Sequence, residues 1–183
     1  MRIPARFMAL GACLALTLVT SDSFGQSEAP KKWRETPARI LPKEVKYTAS
    51  VEPASAKPGD SVTYKVSVQV AEPWHIYAWA EKQADEGPRS TQFNLYETGG
   101  LVPDKAWKSS HDPELAKEPA FPNLDVVAFH EKSVEWSIPL TIPKDAKSGS
   151  VTLKGQMLYQ ICNEGACKPP TTVALPDVTV TVE

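Results

Sequence analysis

Cys162 and Cys167 stand four residues apart in the run Leu158-Tyr159-Gln160-Ile161-Cys162-Asn163-Glu164-Gly165-Ala166-Cys167-Lys168-Pro169-Pro170. Three kinds of chemistry suit such a pair. Two thiols at close range can open and close as a reversible disulfide, trading two electrons with the thiols of another protein. They can instead form a permanent staple, as exported chains commonly do. Or they can hold a metal together with two of His75, His111 and His130, although these histidines are scattered and no second close cysteine pair accompanies them. The spacing leaves all three open. Energetics weigh against the staple, because closing a six-residue ring gains only about 2 kcal/mol, against about 5 kcal/mol for a bridge across a 100-residue loop.

To face each other, the two sulfurs need a hairpin. Residues 163–166, Asn-Glu-Gly-Ala, are good turn material. If Val151 to Cys162 and Cys167 onward are its arms, the cysteines lie opposite each other at the closed end, at a Cα separation a disulfide tolerates. Pro169 and Pro170 remove two backbone donors and stiffen the exit. The rest of the chain also has a period of two. Val45, Tyr47, Ala49 and Val51 alternate with polar residues, as do Val62, Tyr64, Val66, Val68 and Val70, and Lys57-Pro58-Gly59-Asp60 between them suits a tight turn. Further strands are predicted over Trp74 to Trp79, Thr91 to Tyr96, Val134 to Leu140, Val151 to Ile161 and Thr171 to Val182, with Pro139 pushing the end of its strand to an edge or bulge. About seven short strands without a convincing helix predict an all-β, immunoglobulin-like antiparallel sandwich. The connection from Thr98 to Asp125 is long for such a domain, which marks it as functional or disordered. Within it, Trp107 and the run His111 to Glu118 read as an ordinary solvated loop.

Composition narrows the function classes. Of 183 residues, 42% are hydrophobic and 23% charged, a globular composition, and the 17 prolines exclude a helix bundle. Twenty Lys plus Arg against 22 Asp plus Glu give no electrostatic case for nucleic acid. Arg2 and Arg6 precede an apolar run from Phe7 to Val19, with small residues at Ser23 and Gly25, the layout of a secretory signal peptide over 1–25. The run is too short to span a bilayer, which takes about 20 residues. Leu10-Gly11-Ala12-Cys13 loosely resembles a lipoprotein box, but the apolar run continues through Leu14 to Val19, so Cys13 is read as a passive member of it. Residues 26–44 read as a polar, proline-rich tether and 45–183 as the domain. The expected location is the periplasm or another exported compartment, with the protein soluble once the signal peptide is removed.

The stretch Tyr159-Gln160-Ile161-Cys162-x4-Cys167-Lys168-Pro169-Pro170 resembles the active-site hairpin of the amino-terminal periplasmic domain of the DsbD thiol:disulfide interchange family, also described as disulfide bond correctors. The likeness extends through Pro73-Trp74-His75-Ile76-Tyr77 and the Val134 to Pro143 strand, over roughly 45–183. The resemblance implies an immunoglobulin-like fold and an electron relay in which the cysteine pair is itself the carrier, with no cofactor and no metal. It implies that Cys167 makes the bond to the partner and Cys162 resolves it. Partners would be thioredoxin-like or disulfide isomerase proteins, met through transient mixed disulfides. A separate membrane protein would supply the electrons, because family members carry a transmembrane and a thioredoxin-like domain not found between Met1 and Glu183.

Further residues follow from the same resemblance. Tyr159 belongs to the motif, while His75 and Tyr77 match aromatic positions beside the cysteines, the other reading of His75 being a satisfied, half-buried sheet histidine. The family covers its cysteines with a loop carrying an aromatic residue, which points to Phe121, with Phe129 the alternative as strand core. Lys168 departs from the family's usual aromatic or aliphatic residue. It would favour a Cys167 thiolate, whereas Glu164 would oppose one. A monomer is expected. The competing reading is a non-catalytic envelope binding module whose hairpin disulfide merely rigidifies a loop.

Overall fold

The computed structural model describes residues 30–183, so the signal-peptide reading of 1–25, Cys13 included, and the first residues of the tether lie outside the described residues. Alternation of valine and aromatic residues with polar ones forms the first sheet. It comprises β1 (Val45–Glu52), β3 (Ser61–Val70) and β10 (Ser133–Thr141), flanked by the two-residue strands β6 (Val102–Pro103) and β7 (Lys108–Ser109). The inward residues of β3 and β10 are Val62, Tyr64, Val66, Val68, Val134, Trp136, Ile138 and Leu140, all buried. The expected turn closes as glycine allows, with Gly59 at φ +93° and the Asp60 N–H donating to the Lys57 carbonyl at 3.0 Å.

The second sheet joins β5 (Gln92–Glu97), β11 (Gly149–Tyr159), β13 (Thr171–Ala174) and β14 (Val178–Val182), with β2 (Ser55–Ala56) as a short parallel edge. The two sheets face each other over one core in which Trp136, Tyr64, Leu153, Met157 and Tyr159 are fully enclosed. This is an all-β, immunoglobulin-like antiparallel sandwich, as the strand pattern predicts. Burying each large side chain contributes about 1.5–3 kcal/mol. Among the described residues no helix is long and apolar enough to cross a membrane.

Three features differ from the sequence reading. First, the two carboxy-terminal strands are each broken. The chain leaves β11 at Gln160 and enters β12 (Ile161–Cys162) in a third sheet, and Leu175 to Asp177 interrupt the run from Thr171 to Val182. Second, the long connection carries β6 and β7, which pair with the edge of β10, and β8 (Glu114–Ala116), which joins the third sheet. Trp107 is therefore not solvated. It stacks on Phe93 with ring centroids 4.0 Å apart and meets Tyr64 edge-on, because a ring this large gains most from enclosure. Pro139 is tolerated inside β10 because its carbonyl accepts from Asp104. Its imide nitrogen thus faces the interrupted short strands rather than β3.

Third, residues 31–36 lie across the outer face of the second sheet instead of running free. The Gln156 amide accepts from Trp33 N–H at 2.7 Å and donates to the Trp33 carbonyl at 3.0 Å. Asn94 donates to the Lys31 carbonyl. Gln156 sits at an outward position of β11, where a polar residue normally meets water, yet this strap encloses it completely. Replacing Gln156 with leucine leaves the Trp33 groups unpaired and is expected to release the strap. Limited trypsin digestion would read this as faster cleavage at Lys31, Lys32 and Arg34, with the core fragment intact.

Candidate functional site

The third sheet is small and two-faced. It orders β12, β4 (His75–Tyr77), β9 (Val127–Glu131) and β8, with Cys162 opposite His75 and Tyr77 opposite Phe129. Since successive side chains point to opposite faces, Ile76 and Ile161 go into the sandwich core. His75, Tyr77, Cys162, Phe129 and Val127 occupy the other face, which Phe121, Leu124 and Cys167 cover. The hairpin closes as its turn residues require. The Asn163 carboxamide accepts from the N–H groups of Gly165 and Ala166, and Lys168 N–H bonds the Ile161 carbonyl. Cys162 and Cys167 form a disulfide across it, with Cα atoms 4.0 Å apart. Gln160, at the break between sheets, donates to the Lys168 carbonyl and accepts from Arg89 N–H, fixing the exit of the hairpin and the loop beside it.

The two sulfurs have different surroundings. Cys162 is 0% exposed, whereas Cys167 is half-buried at the hairpin tip. A cleft of about 430 Å³ is lined by Trp74, His75, Glu118, Phe129, Lys132 and Glu164, among others, but by neither cysteine. Phe121 lies on two successive turns, its N–H bonding the Glu118 carbonyl and its carbonyl accepting from Leu124 N–H. Its ring approaches Tyr77 edge-on at 6.4 Å. Gly87, at φ +98°, lets the neighbouring loop come so close to Leu124 that a Cβ there would stand 2.6 Å from the leucine methyl.

Glu118 was not legible in the sequence. Read as part of a solvated run, it is 4% exposed, its carboxylate accepting from the Tyr77 hydroxyl at 3.1 Å and lying 2.8 Å from His75 Nε2. That last approach is off the line of a hydrogen bond, so it is a close contact rather than a directed bond. The cause of the burial lies in β8, which pairs with β9 and carries the chain over the aromatic face immediately before Glu118. The only local signal is a charge three residues before Phe121, which by itself decides nothing. Burial, with the Glu118 carboxylate next, pushes the Tyr77 hydroxyl above its ordinary range.

Of the predicted site residues, Cys162, Cys167, His75, Tyr77 and Phe121 come together, with Phe129 beneath His75 at a ring separation of 4.4 Å. Tyr159 does not join them, being enclosed in the sandwich core. Lys168 turns away from Cys167 and bonds Glu44 at 2.7 Å, over the Trp74 ring. That bond holds the Glu44 carboxyl below its usual range and neutralises the charge that would have favoured a Cys167 thiolate.

His111 and His130 lie away from the cysteines. His130 is on the core side of β9 with its Nδ1 3.2 Å from His111 Nε2 and its ring edge-on to Trp136. Burial first, and His111 second, push the His130 imidazole down to about 4 from 6.5. Between those values the unfolded chain binds the proton and the native state does not, so stability is full above about pH 6.5 and falls towards pH 4, by at most roughly 3 kcal/mol. Denaturant unfolding across that range is expected to give a flatter pH profile for His130→Gln than for the parent.

No protein-family model matches the chain, and no curated protein does. Among solved structures, the amino-terminal domain of DsbD from Neisseria meningitidis, in its reduced form, is 19% identical, with 79% of this chain and 97% of that one covered and a TM-score of 0.43. The amino-terminal periplasmic domain of ScsB from Proteus mirabilis is 18% identical over 72% of this chain and 44% of that one, at a TM-score of 0.42. The major pilin subunit BcpA of Bacillus cereus is 11% identical over 76% of this chain and 40% of its own length, at a TM-score of 0.45. The chain thus spans less than half the length of the pilin and ScsB structures and nearly all of the DsbD domain.

Proposed function

We propose that this chain is an exported thiol–disulfide exchange domain that works through Cys162 and Cys167. The observation that supports this best is the asymmetry of the sulfurs, one enclosed and one half-buried at the tip of the hairpin. A staple gains nothing from such an arrangement, whereas exchange needs one reachable sulfur and one protected one. The resemblance of residues 159–170 to an exchange hairpin agrees with it.

Chemically, a partner thiolate attacks Cys167 Sγ, the disulfide breaks, and Cys162 leaves as a thiolate. His75, across the ladder, is placed to give that sulfur a proton. A second partner thiol then attacks the mixed disulfide, so that two electrons and two protons pass to this chain. Run in reverse, the Cys167 thiolate attacks a partner disulfide and Cys162 resolves it. Phe121 serves as the lid that a partner displaces, and the Glu118 carboxylate flanks His75. The partners are thioredoxin-like or isomerase-like thiol proteins of the cell envelope.

The test is a reduction potential measured in graded glutathione buffers, with thiols trapped by alkylation and counted by mass. A midpoint of about −180 to −270 mV is expected for an exchanger. A value below about −300 mV, with very slow exchange, would replace the relay by a binding module with a structural bridge.

A further inference from the structure

The exchange reading uses the sulfurs and treats His75 and Glu118 as helpers, but the donor atoms themselves form a focus. A ring nitrogen of His75, a carboxylate oxygen of Glu118 and Cys162 Sγ lie within 4.8 Å of one another, all on buried residues. His75 Nε2 and Glu118 Oε2 are 2.8 Å apart without a directed hydrogen bond, so the nitrogen is left unpartnered in an enclosed place. Ligand atoms around a tetrahedral zinc, at bond lengths of roughly 2.0–2.3 Å, stand roughly 3.3–3.8 Å apart. The observed separations fall within about an ångström of that range. The carboxylate is held in place by the Tyr77 hydroxyl at 3.1 Å and approached by Ala120 N–H at 3.4 Å, the kind of outer support that metal ligands have. In the oxidised chain the sulfurs carry no charge and the set is incomplete.

We infer that the reduced protein binds one zinc ion, or a similar divalent ion, through Cys162, Cys167, His75 and Glu118. The inference rests on the exchange reading only in needing the disulfide to open. A two-electron reductant opens it to two thiols, and the ion then displaces two protons, leaving two thiolates that balance its charge. Imidazole, carboxylate and paired thiolates together are a donor set for zinc rather than for calcium or magnesium. In the oxidised chain Cys167 is outside that group; once the bridge opens its sulfur would supply the fourth ligand by turning about its Cα–Cβ bond. Binding would hold the thiolates out of exchange, so the metal acts as a brake on the reduced state alone.

The experiment separates the two ideas. The mature chain is treated in parallel with a mild dithiol and with a phosphine, and free thiols are counted by alkylation. The phosphine-reduced protein is then desalted anaerobically and titrated with zinc chloride, with cobalt(II) as a coloured probe. Expected are one ion per reduced chain, two protons released per zinc, tetrahedral cobalt bands and none of these in the oxidised protein. His75→Ala and Glu118→Gln should each weaken binding at least tenfold, while circular dichroism and re-formation of the disulfide show that they fold. Failure of the mild dithiol to open the bridge would count against exchange and leave the zinc result to stand alone. Two thiols that take up no zinc, or take it up equally in both variants, would overturn the metal site and leave exchange untouched.

Discussion

Replacing Cys162 with serine is expected to turn the protein into a trap for its redox partner, and replacing Cys167 to silence it. In Cys162→Ser the half-buried Cys167 sulfur still attacks a disulfide, but no second thiol resolves the product, so the mixed disulfide accumulates. In Cys167→Ser the remaining thiol lies enclosed among Tyr77, Val127 and Phe129. If reagent reaches it only through a local opening of about 3 kcal/mol, its alkylation is slower by roughly a hundredfold. The check is the iodoacetamide rate of each single-cysteine protein, with non-reducing gels run against a thioredoxin-like substrate. Equal rates would mean that the asymmetry of burial does not govern reactivity, and the order of attack proposed for the two cysteines would fail with it.

Removing the Glu118 carboxylate carries the second large effect. In Glu118→Ala the buried Tyr77 hydroxyl loses its acceptor. An orphaned buried polar group costs about 1–3 kcal/mol, which is the loss expected here. For a domain of this size each kcal/mol lowers Tm by about 2–4 °C. Glu118→Gln keeps an acceptor for Tyr77 and is expected to lose much less. The same alanine frees the turn that carries Phe121, so alkylation of Cys167 in the reduced protein should quicken. Phe121→Ala should quicken it too at smaller cost to Tm. A stable Glu118→Ala with unchanged alkylation would show that the carboxylate holds neither the cluster nor the lid.

What could be read from the sequence was what depends on short spacings. The period of two in Val62 to Val70 and Val134 to Leu140 placed the core strands, and the turn residues 163–166 placed the sulfurs opposite each other. The face shared by His75, Tyr77 and Cys162 also follows local alternation once β12 and β4 are paired. What failed was anything set by distant chain segments. Glu118 is buried because β8 pairs with β9, and Gln156 because Trp33 crosses over it, and neither pairing leaves a mark in the residues' own neighbourhoods. Tyr159 erred the other way. Its place in the cysteine motif put it at the site, while its parity in β11 sends the ring into the sandwich. Lys168, next to Cys167 in sequence, is claimed by Glu44, 124 residues away.

The strap at residues 31–36 also bears on self-association. Its Thr36 occupies both groups of Thr172 that β13 turns outward, donating N–H to the Thr172 carbonyl at 2.9 Å and accepting the Thr172 N–H on its hydroxyl at 2.9 Å. An uncovered strand with free backbone groups is a template for another copy of the chain. A protein cut at Val45, the boundary that strand patterning alone suggests, would keep its core and both cysteines yet expose those two groups. Such a truncation should form dimers or precipitate at concentrations where the longer chain stays monodisperse. The segment that looks most dispensable is then what keeps neighbouring molecules from joining their sheets.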